Sequence, residues 1–352
     1  MRVISPVLKH LVYPGLAQAG YFRRVVNPGP IVITYHGVMP ANYDSVNSEL
    51  DGSLVSIEGL RAQLALISQR YKIISPQQYL DFLLGRGELP RNSALLTCDD
   101  GLRNIHFMLP VLSEAGVKCL FFITGFSLED QPAMLWHEEL CLTFLLAERD
   151  FAFTLPHGQT VVADSATRRT LWWKLIGYLS EVNRATRRSY IDSIQERAGV
   201  KAAWREQFLA LPGRRERFSV LGKDELRHLI DAGHTIGAHS MSHPLLSRAS
   251  DNDARFEIVN SREELERAAG QPIWAFAYPF GNPGSATERD FQLAERAGFQ
   301  CAFLNTEDEL SAGSFAIPRV HVTREMSLAE FEAHVSGFHQ RIRRRFRQQV
   351  GA

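Results

Sequence analysis

The 352-residue chain contains no run of the ~18 consecutive apolar residues that a bilayer-crossing helix requires, so no membrane span is expected. It has no excess of either charge: Lys+Arg and Asp+Glu each number 39, and the formal net charge is zero. A chain without a global basic field is not expected to hold nucleic acid. The one local exception is RIRRRFR, with five arginines from Arg341 to Arg347. It reads either as a solvated helix end or as a contact for anionic lipid head groups. Cysteine is scarce. Cys98, Cys119, Cys141 and Cys301 are far apart and form no CxxC pair, so they read as small buried hydrophobes of a reducing compartment rather than a disulfide frame. The first residues lack the unbroken apolar stretch of a secretory leader, being interrupted by Lys9, His10, Pro14 and Gly15.

What the chain does have is alternation. Short β-branched runs ending in small or polar residues, such as IVITYHG (31–37), SALLTCDDG (93–101), VKCLFFITG (117–125), HTIGAHS (234–240), IWAFAYPFG (273–281), QCAFLNT (300–306) and FAIPRVHV (315–322), are separated by segments of helical spacing. Repeated β-then-α units predict a parallel sheet with helices outside, and about seven units suffice to close a barrel. Residues 136–220 break the rhythm and read as a mainly helical insertion. The expected organisation is a helical extension over 1–25, a catalytic domain over 26–340 containing that insertion, and a basic tail over 341–352.

Parallel α/β folds gather function at the C-terminal ends of their strands. Here those ends carry His36, the acid pair Asp99–Asp100, His239 with His243, the run Tyr278–Pro279–Phe280, and Arg319 with His321. Two histidines at i and i+4 can face one point across a helical turn. With one carboxylate they leave a fourth position open, the layout of a catalytic zinc site. Such an ion also explains two adjacent aspartates: one can bind it, and the other can stay free to take a proton from water.

TCDDG (97–101), HSMSHP (239–244) and AYPFG (277–281), in this order, resemble the motifs of polysaccharide deacetylases with a NodB-homology domain, carbohydrate esterase family 4. ITYHGV near the start and IPRVHV near the end fit the same pattern, nearest to the branch with an early YHxV element. The resemblance implies a distorted (β/α)7-type barrel and hydrolysis of an N-acetyl amide on a sugar. It implies Asp99 as general base, and Asp100, His239 and His243 as ligands of zinc or another divalent transition metal. Tyr278, Pro279 and Phe280 would line the sugar groove, and the backbone near Tyr278 or Phe280 would donate to the oxyanion. Trp136, in WHEEL (136–140), reads either as a sugar-stacking ring or as a packed helix start, with His137 and Glu138 beside it.

The chain also departs from the pattern. Cys98 stands where a phenylalanine is usual. Ala277 stands where many members carry the arginine that orients the base; Arg319 is the candidate to replace that charge, or else a structural ion pair. The general acid is His36 or His321, with His36 favoured. The implied substrate is an N-acetylated amino sugar of a polysaccharide or lipid-linked glycan in bacterial-type surface polysaccharide synthesis. Action is expected in the cytoplasm or at the inner membrane face, with Arg341–Arg347 as a peripheral anionic-membrane contact. Two other readings stand beside it: a deformylase of a lipid-linked amino sugar, and a non-catalytic carbohydrate-binding protein on the same scaffold.

Overall fold

Side-chain parity along seven short parallel strands organises the molecule. They are β1 (Ile31–Tyr35), β2 (Ser93–Cys98), β3 (Leu120–Ile123), β4 (Thr235–Ala238), β5 (Ala275–Ala277), β6 (Cys301–Phe303) and β7 (Val320–His321), in the sheet order β6-β5-β4-β3-β2-β1-β7. Lys72–Ile73 adds a short eighth strand on β2. The computed structural model describes residues 6–350 apart from 26, 28, 129–132, 202 and 308–312.

Successive residues of a strand face opposite sides. One set, including Ile33, Leu96, Phe121, Ile236, Phe276, Ala302 and Val320, points outward into the main core beneath the helices. The other set, including Val32, Leu95, Phe122, Ala277 and Phe303, fills the interior. The register pairs Thr34 with both Thr97 and His321, so these three share the inner side. The sheet is drawn round on itself by the segment 317–321. Ile317 bridges to Phe303 on β6, Arg319 donates its N–H to the Thr306 carbonyl at 2.8 Å, and Val320 and His321 then pair with β1. This is the parallel, helix-covered (β/α) barrel expected from the alternation.

Between the third and fourth barrel strands, the segment expected as an insertion builds a core of its own. The helices Trp136–Leu146, Arg168–Ser180 and Arg184–Arg197 pack around Leu140, Phe144, Leu175 and Ile191. It also contains an antiparallel hairpin, Phe151–Thr154 with Thr160–Ala163, which the mainly helical expectation did not include. At the other end, Tyr13 and Phe22 of the N-terminal helices bury themselves against Ala333 and Phe338. The boundary expected at 340/341 falls inside one helix, Phe338–Val350, and the Arg347 side chain lies outside the described residues. The four cysteines are free and buried; Cys98 faces outward into the main core. Among the described residues no helix is long and apolar enough to cross a membrane.

Candidate active site

Every strand-end polar group singled out in the sequence belongs to the C-terminal face of this barrel, but parity decides which of them meet. Asp99 continues the inward set of β2, after Leu95 and Thr97, and its N–H donates to the Tyr35 carbonyl at 2.9 Å. It is 2% exposed. The chain then turns at once: Asp100 has φ 74° and Gly101 φ 65°. Without a side chain, Gly101 also avoids a Cβ that would lie 3.1 Å from the Ile123 side chain.

Asp100 Oδ1 lies 3.3 Å from His239 Nε2 and 3.2 Å from His243 Nε2, and donor atoms of the three all fall within 4.8 Å of one another. His239 Nδ1 is 2.7 Å from the Ala277 carbonyl. That bond fixes Nδ1 as the protonated nitrogen and leaves the Nε2 lone pair for a metal. Two imidazoles and one carboxylate, with room for another ligand, suit a catalytic zinc-class ion. The ligand loop is not the helical turn expected between the two histidines. Ser240 (φ 61°) and His243 (φ 59°) are left-handed, and the His243 N–H donates to Ser240 Oγ at 2.9 Å. With Asp100 and Phe280 (φ 61°), these are the non-glycine positions of positive φ among the described residues. Each costs of order 1–3 kcal/mol, and all four border this site. The loop is braced from below by Glu257, which accepts from the Ser242 N–H at 2.7 Å, and from the side by Arg187, which donates to Ser242 Oγ at 3.1 Å.

Arg319 is 1% exposed and clamps Asp99 with both terminal nitrogens, at 2.7 and 2.5 Å. It also donates to Thr97 Oγ1 and to the Leu304 carbonyl. Burial pushes the Asp99 carboxyl up, but Arg319, with His239 and His36, outweighs this and holds it below its ordinary range. Burial likewise raises Asp100, and the adjacent His239 and His243 rings bring it well below its ordinary range. His36 Nε2 stands 3.9 Å from Asp99 Oδ2, and its Nδ1 has no partner. Its ring meets that of His321, centroids 4.9 Å apart. His321 is tied to Ser53 Oγ at 3.1 Å, and burial, followed by the neighbouring His36, lowers its pKa to about 3.

These groups open into a cavity of about 250 Å³ whose wall includes His36, Asp100, His137, Trp173, Phe280 and His321. Some expected groove residues are elsewhere. Tyr278 has the outward parity of Phe276; its ring packs on Phe276 and Phe291, and its hydroxyl donates to the Phe315 carbonyl. Its N–H is taken by the Phe303 carbonyl and is not free for an oxyanion. Pro279 is buried and does not line the cavity. Trp136 does not line it either: its indole N–H donates to the His243 carbonyl at 2.9 Å, and Arg187 covers its face. Its neighbour His137 does reach the site, stacked on His243 with centroids 4.8 Å apart. The aromatic wall is instead Trp172 and Trp173 of the insertion, which the sequence reading missed. Trp173 is 51% exposed, and two adjacent tryptophans on a helix, only one of which can be buried, were the available signal. Also missed was the buried pair of carboxylates around Arg217. Its Nε donates to Asp51 at 2.6 Å and its Nη2 to Glu138 at 2.7 Å.

A family model described as polysaccharide deacetylase matches residues 190–302, a segment that includes both ligand histidines and Phe280 but neither aspartate. A peptidoglycan-N-acetylglucosamine deacetylase of Bacillus cereus is 29% identical over 75 residues, 20% of this chain and 27% of that protein. The match therefore spans about a quarter of the relative's length. Among solved structures, the Streptococcus pyogenes deacetylase PplD in complex with acetate aligns with a TM-score of 0.54 at 16% identity, over 87% of this chain and 97% of that one. IcaB from Ammonifex degensii aligns with a TM-score of 0.54 at 16% identity, over 88% and 98%. At these identities the solved structures speak for the fold. The resemblance to the polysaccharide deacetylases is carried by a family model over about a third of the chain, which includes two of the three motifs, and the barrel is the NodB-like fold of the solved deacetylases.

Proposed function

We propose that the chain is a metal-dependent carbohydrate N-deacetylase, cleaving the N-acetyl amide of an amino sugar in a polysaccharide or lipid-linked glycan and releasing acetate. The observation that carries this is the meeting of a three-donor set, Asp100, His239 and His243, with a carboxylate outside that set, Asp99, just behind a cavity walled by Asp100, His243 and His36. A divalent ion held by the three donors would supply Lewis-acid polarisation of the acyl oxygen and a more acidic attacking water. Asp99, kept ionised by Arg319, takes the proton from that water. The two-pronged clamp fixes the direction in which the carboxylate can accept it. His36, whose side chain lines the cavity with its Nε2 3.9 Å from Asp99 Oδ2, passes a proton to the leaving sugar nitrogen. His321 supports it by ring contact, its own Nε2 being held by Ser53. Phe280 and Trp173 present ring faces on which a pyranose can lie.

Acetate release from N-acetylated amino-sugar oligomers tests the reading. Wild-type protein should release acetate and not formate from N-formyl analogues in preference. Asp99→Asn should retain its metal and lose turnover by ~10²–10⁴-fold. Full activity in that variant would refute the role of Asp99. The basic helix end is proposed as a contact for anionic lipid. Because Phe338 and His339 belong to the folded interior, the test is removal of 343–352, after which vesicle co-sedimentation should fall; unchanged sedimentation discards the contact.

A further inference from the structure

The first turn of the helix Trp136–Leu146 is fastened to the ligand loop at two points. The Trp136 indole N–H donates to the His243 carbonyl at 2.9 Å. The ring of His137 lies against the His243 ring, centroids 4.8 Å apart and planes 23° from parallel. Other contacts hold His137 in this place. Its carbonyl accepts the Trp172 indole N–H at 2.8 Å, and its ring meets that of Phe280 with centroids 5.2 Å apart. Its backbone and its ring are therefore both fixed by walls of the catalytic cavity, which His137 lines together with Asp100, His243 and Phe280.

None of these contacts engages a ring nitrogen. Nδ1 is buried with no partner among the described residues. A proton there would be an N–H shut away from any acceptor, a costly state, so the neutral ring carries its proton on Nε2. Nε2 makes no hydrogen bond to a described residue and is not shielded, so it is the donor that the ring offers to the cavity. His137 is outside the set formed by Asp100, His239 and His243. Stacked on a ligand ring, it lies beside the plane in which the His243 lone pair points, and so borders the donor set without joining it. The backbone donor that the motif resemblance suggested for an oxyanion, the Tyr278 N–H, is taken by the Phe303 carbonyl.

We propose that His137, through its Nε2–H, is a further catalytic residue of this site, donating a hydrogen bond to the acyl oxygen of the amide under attack; this rests on the deacetylase reading above. As water adds to the acyl carbon, the π pair of the C=O bond moves onto that oxygen. The bond from His137 strengthens with the growing charge, while its proton stays on the ring. An interaction stronger at that point than with the intact amide accelerates the reaction rather than merely holding the substrate. When the C–N bond breaks, the pair returns to the C=O bond and the amine leaves with the proton passed by His36.

The test uses the full chain loaded with zinc chloride, with elemental mass spectrometry confirming equal zinc in every protein and far-ultraviolet circular dichroism confirming the fold. His137→Phe keeps a ring to stack on His243 and removes the donor; His137→Leu serves where it does not fold. His137→Gln returns an N–H near the place of Nε2. In acetate release from N-acetylated amino-sugar oligomers, His137→Phe should lower kcat by ~10²–10³-fold with little change in KM, and His137→Gln should recover part of that loss. A second readout needs no turnover. Sodium acetate, whose carboxylate presents the same acyl oxygen, should bind His137→Phe ~10-fold or more weakly than wild type in calorimetric titration. Wild-type kcat in His137→Phe overturns the assignment, as does equal acetate affinity in the two proteins or binding by neither. A loss that His137→Gln does not recover at all assigns the ring to packing instead. Wild-type protein that releases no acetate overturns the deacetylase reading, and the titration still decides whether His137 donates to an acyl oxygen here.

Discussion

Two clusters in this molecule use the same side chains for opposite ends. At the barrel mouth, Asp100, His239 and His243 sit on turns of positive φ beside a cavity. Elsewhere, His334 and His339 flank a helix break and Glu307 lies on the loop after β6, with a tyrosine from the other terminus closing over them. The mouth holds its donors on strained backbone beside a cavity. In the second cluster the His334 and His339 rings stack on each other, and their Nδ1 atoms are taken by Glu307 and Tyr13. The same side chains become a convergent donor set or a packed polar core according to whether a strand end or a helix break presents them.

The largest effect that sharpens this contrast is expected from His36. His36→Gln should lower kcat by ~10²–10⁴-fold in acetate release, whereas His321→Gln, which removes a Ser53 bond, should cost less. Equal losses would break the assignment of proton transfer to His36 rather than His321. Next, Arg319→Ala leaves a buried carboxylate without its partner, and such losses cost ~3–5 kcal/mol. Urea unfolding should register that loss; an unchanged midpoint would exclude the pair as a stabilising contact. A smaller effect comes from a third buried histidine. His234 accepts the Cys119 N–H at 3.1 Å, and burial, then Lys118 and His228, lower its pKa from the ordinary 6.5 to about 4. With a folded-state pKa below the unfolded one, His234 stays neutral in the fold while the unfolded chain takes up the proton. Stability should therefore be full above pH 6.5 and fall as pH drops from 6.5 towards 4. His234→Asn should flatten that slope in thermal melts of metal-free protein; an unchanged slope would exclude His234 as the titrating group. Last, Tyr13→Phe removes one buried hydrogen bond, worth ~1 kcal/mol. Thermal melts should show a small fall, and no change would exclude the Tyr13–His339 bond as a stabilising contact.

The barrel was legible because β-branched runs and glycine stops mark its strands independently of tertiary context. The meeting of Asp99, Asp100, His239 and His243 was legible because all lie just past strand ends of one parallel sheet. The conformation that joins the two ligand histidines was not. A spacing of four suggests a helical turn, but Ser240 accepts the His243 N–H locally and drives the loop left-handed. Parity settles two other points. Tyr278 follows Phe276 outward, while Arg319 and His321 lie on either side of outward-facing Val320. Trp136 and Trp172–Trp173 carry no periodic mark that separates a ring packed under the ligand loop from one exposed at the cavity. The Glu307 cluster was hidden because His334 and His339 lie on opposite sides of a helix break, and a spacing of five on one helix would have pointed them apart.

Arg319, the group that aims Asp99, is carried by the segment that draws the sheet round from β6 to β1. Under the proposed reaction, the aim of the base therefore depends on completion of that circle. Asp100, His239 and His243 follow β2 and β4, so displacing β7 would leave the three donors in place and take away the group that orients Asp99.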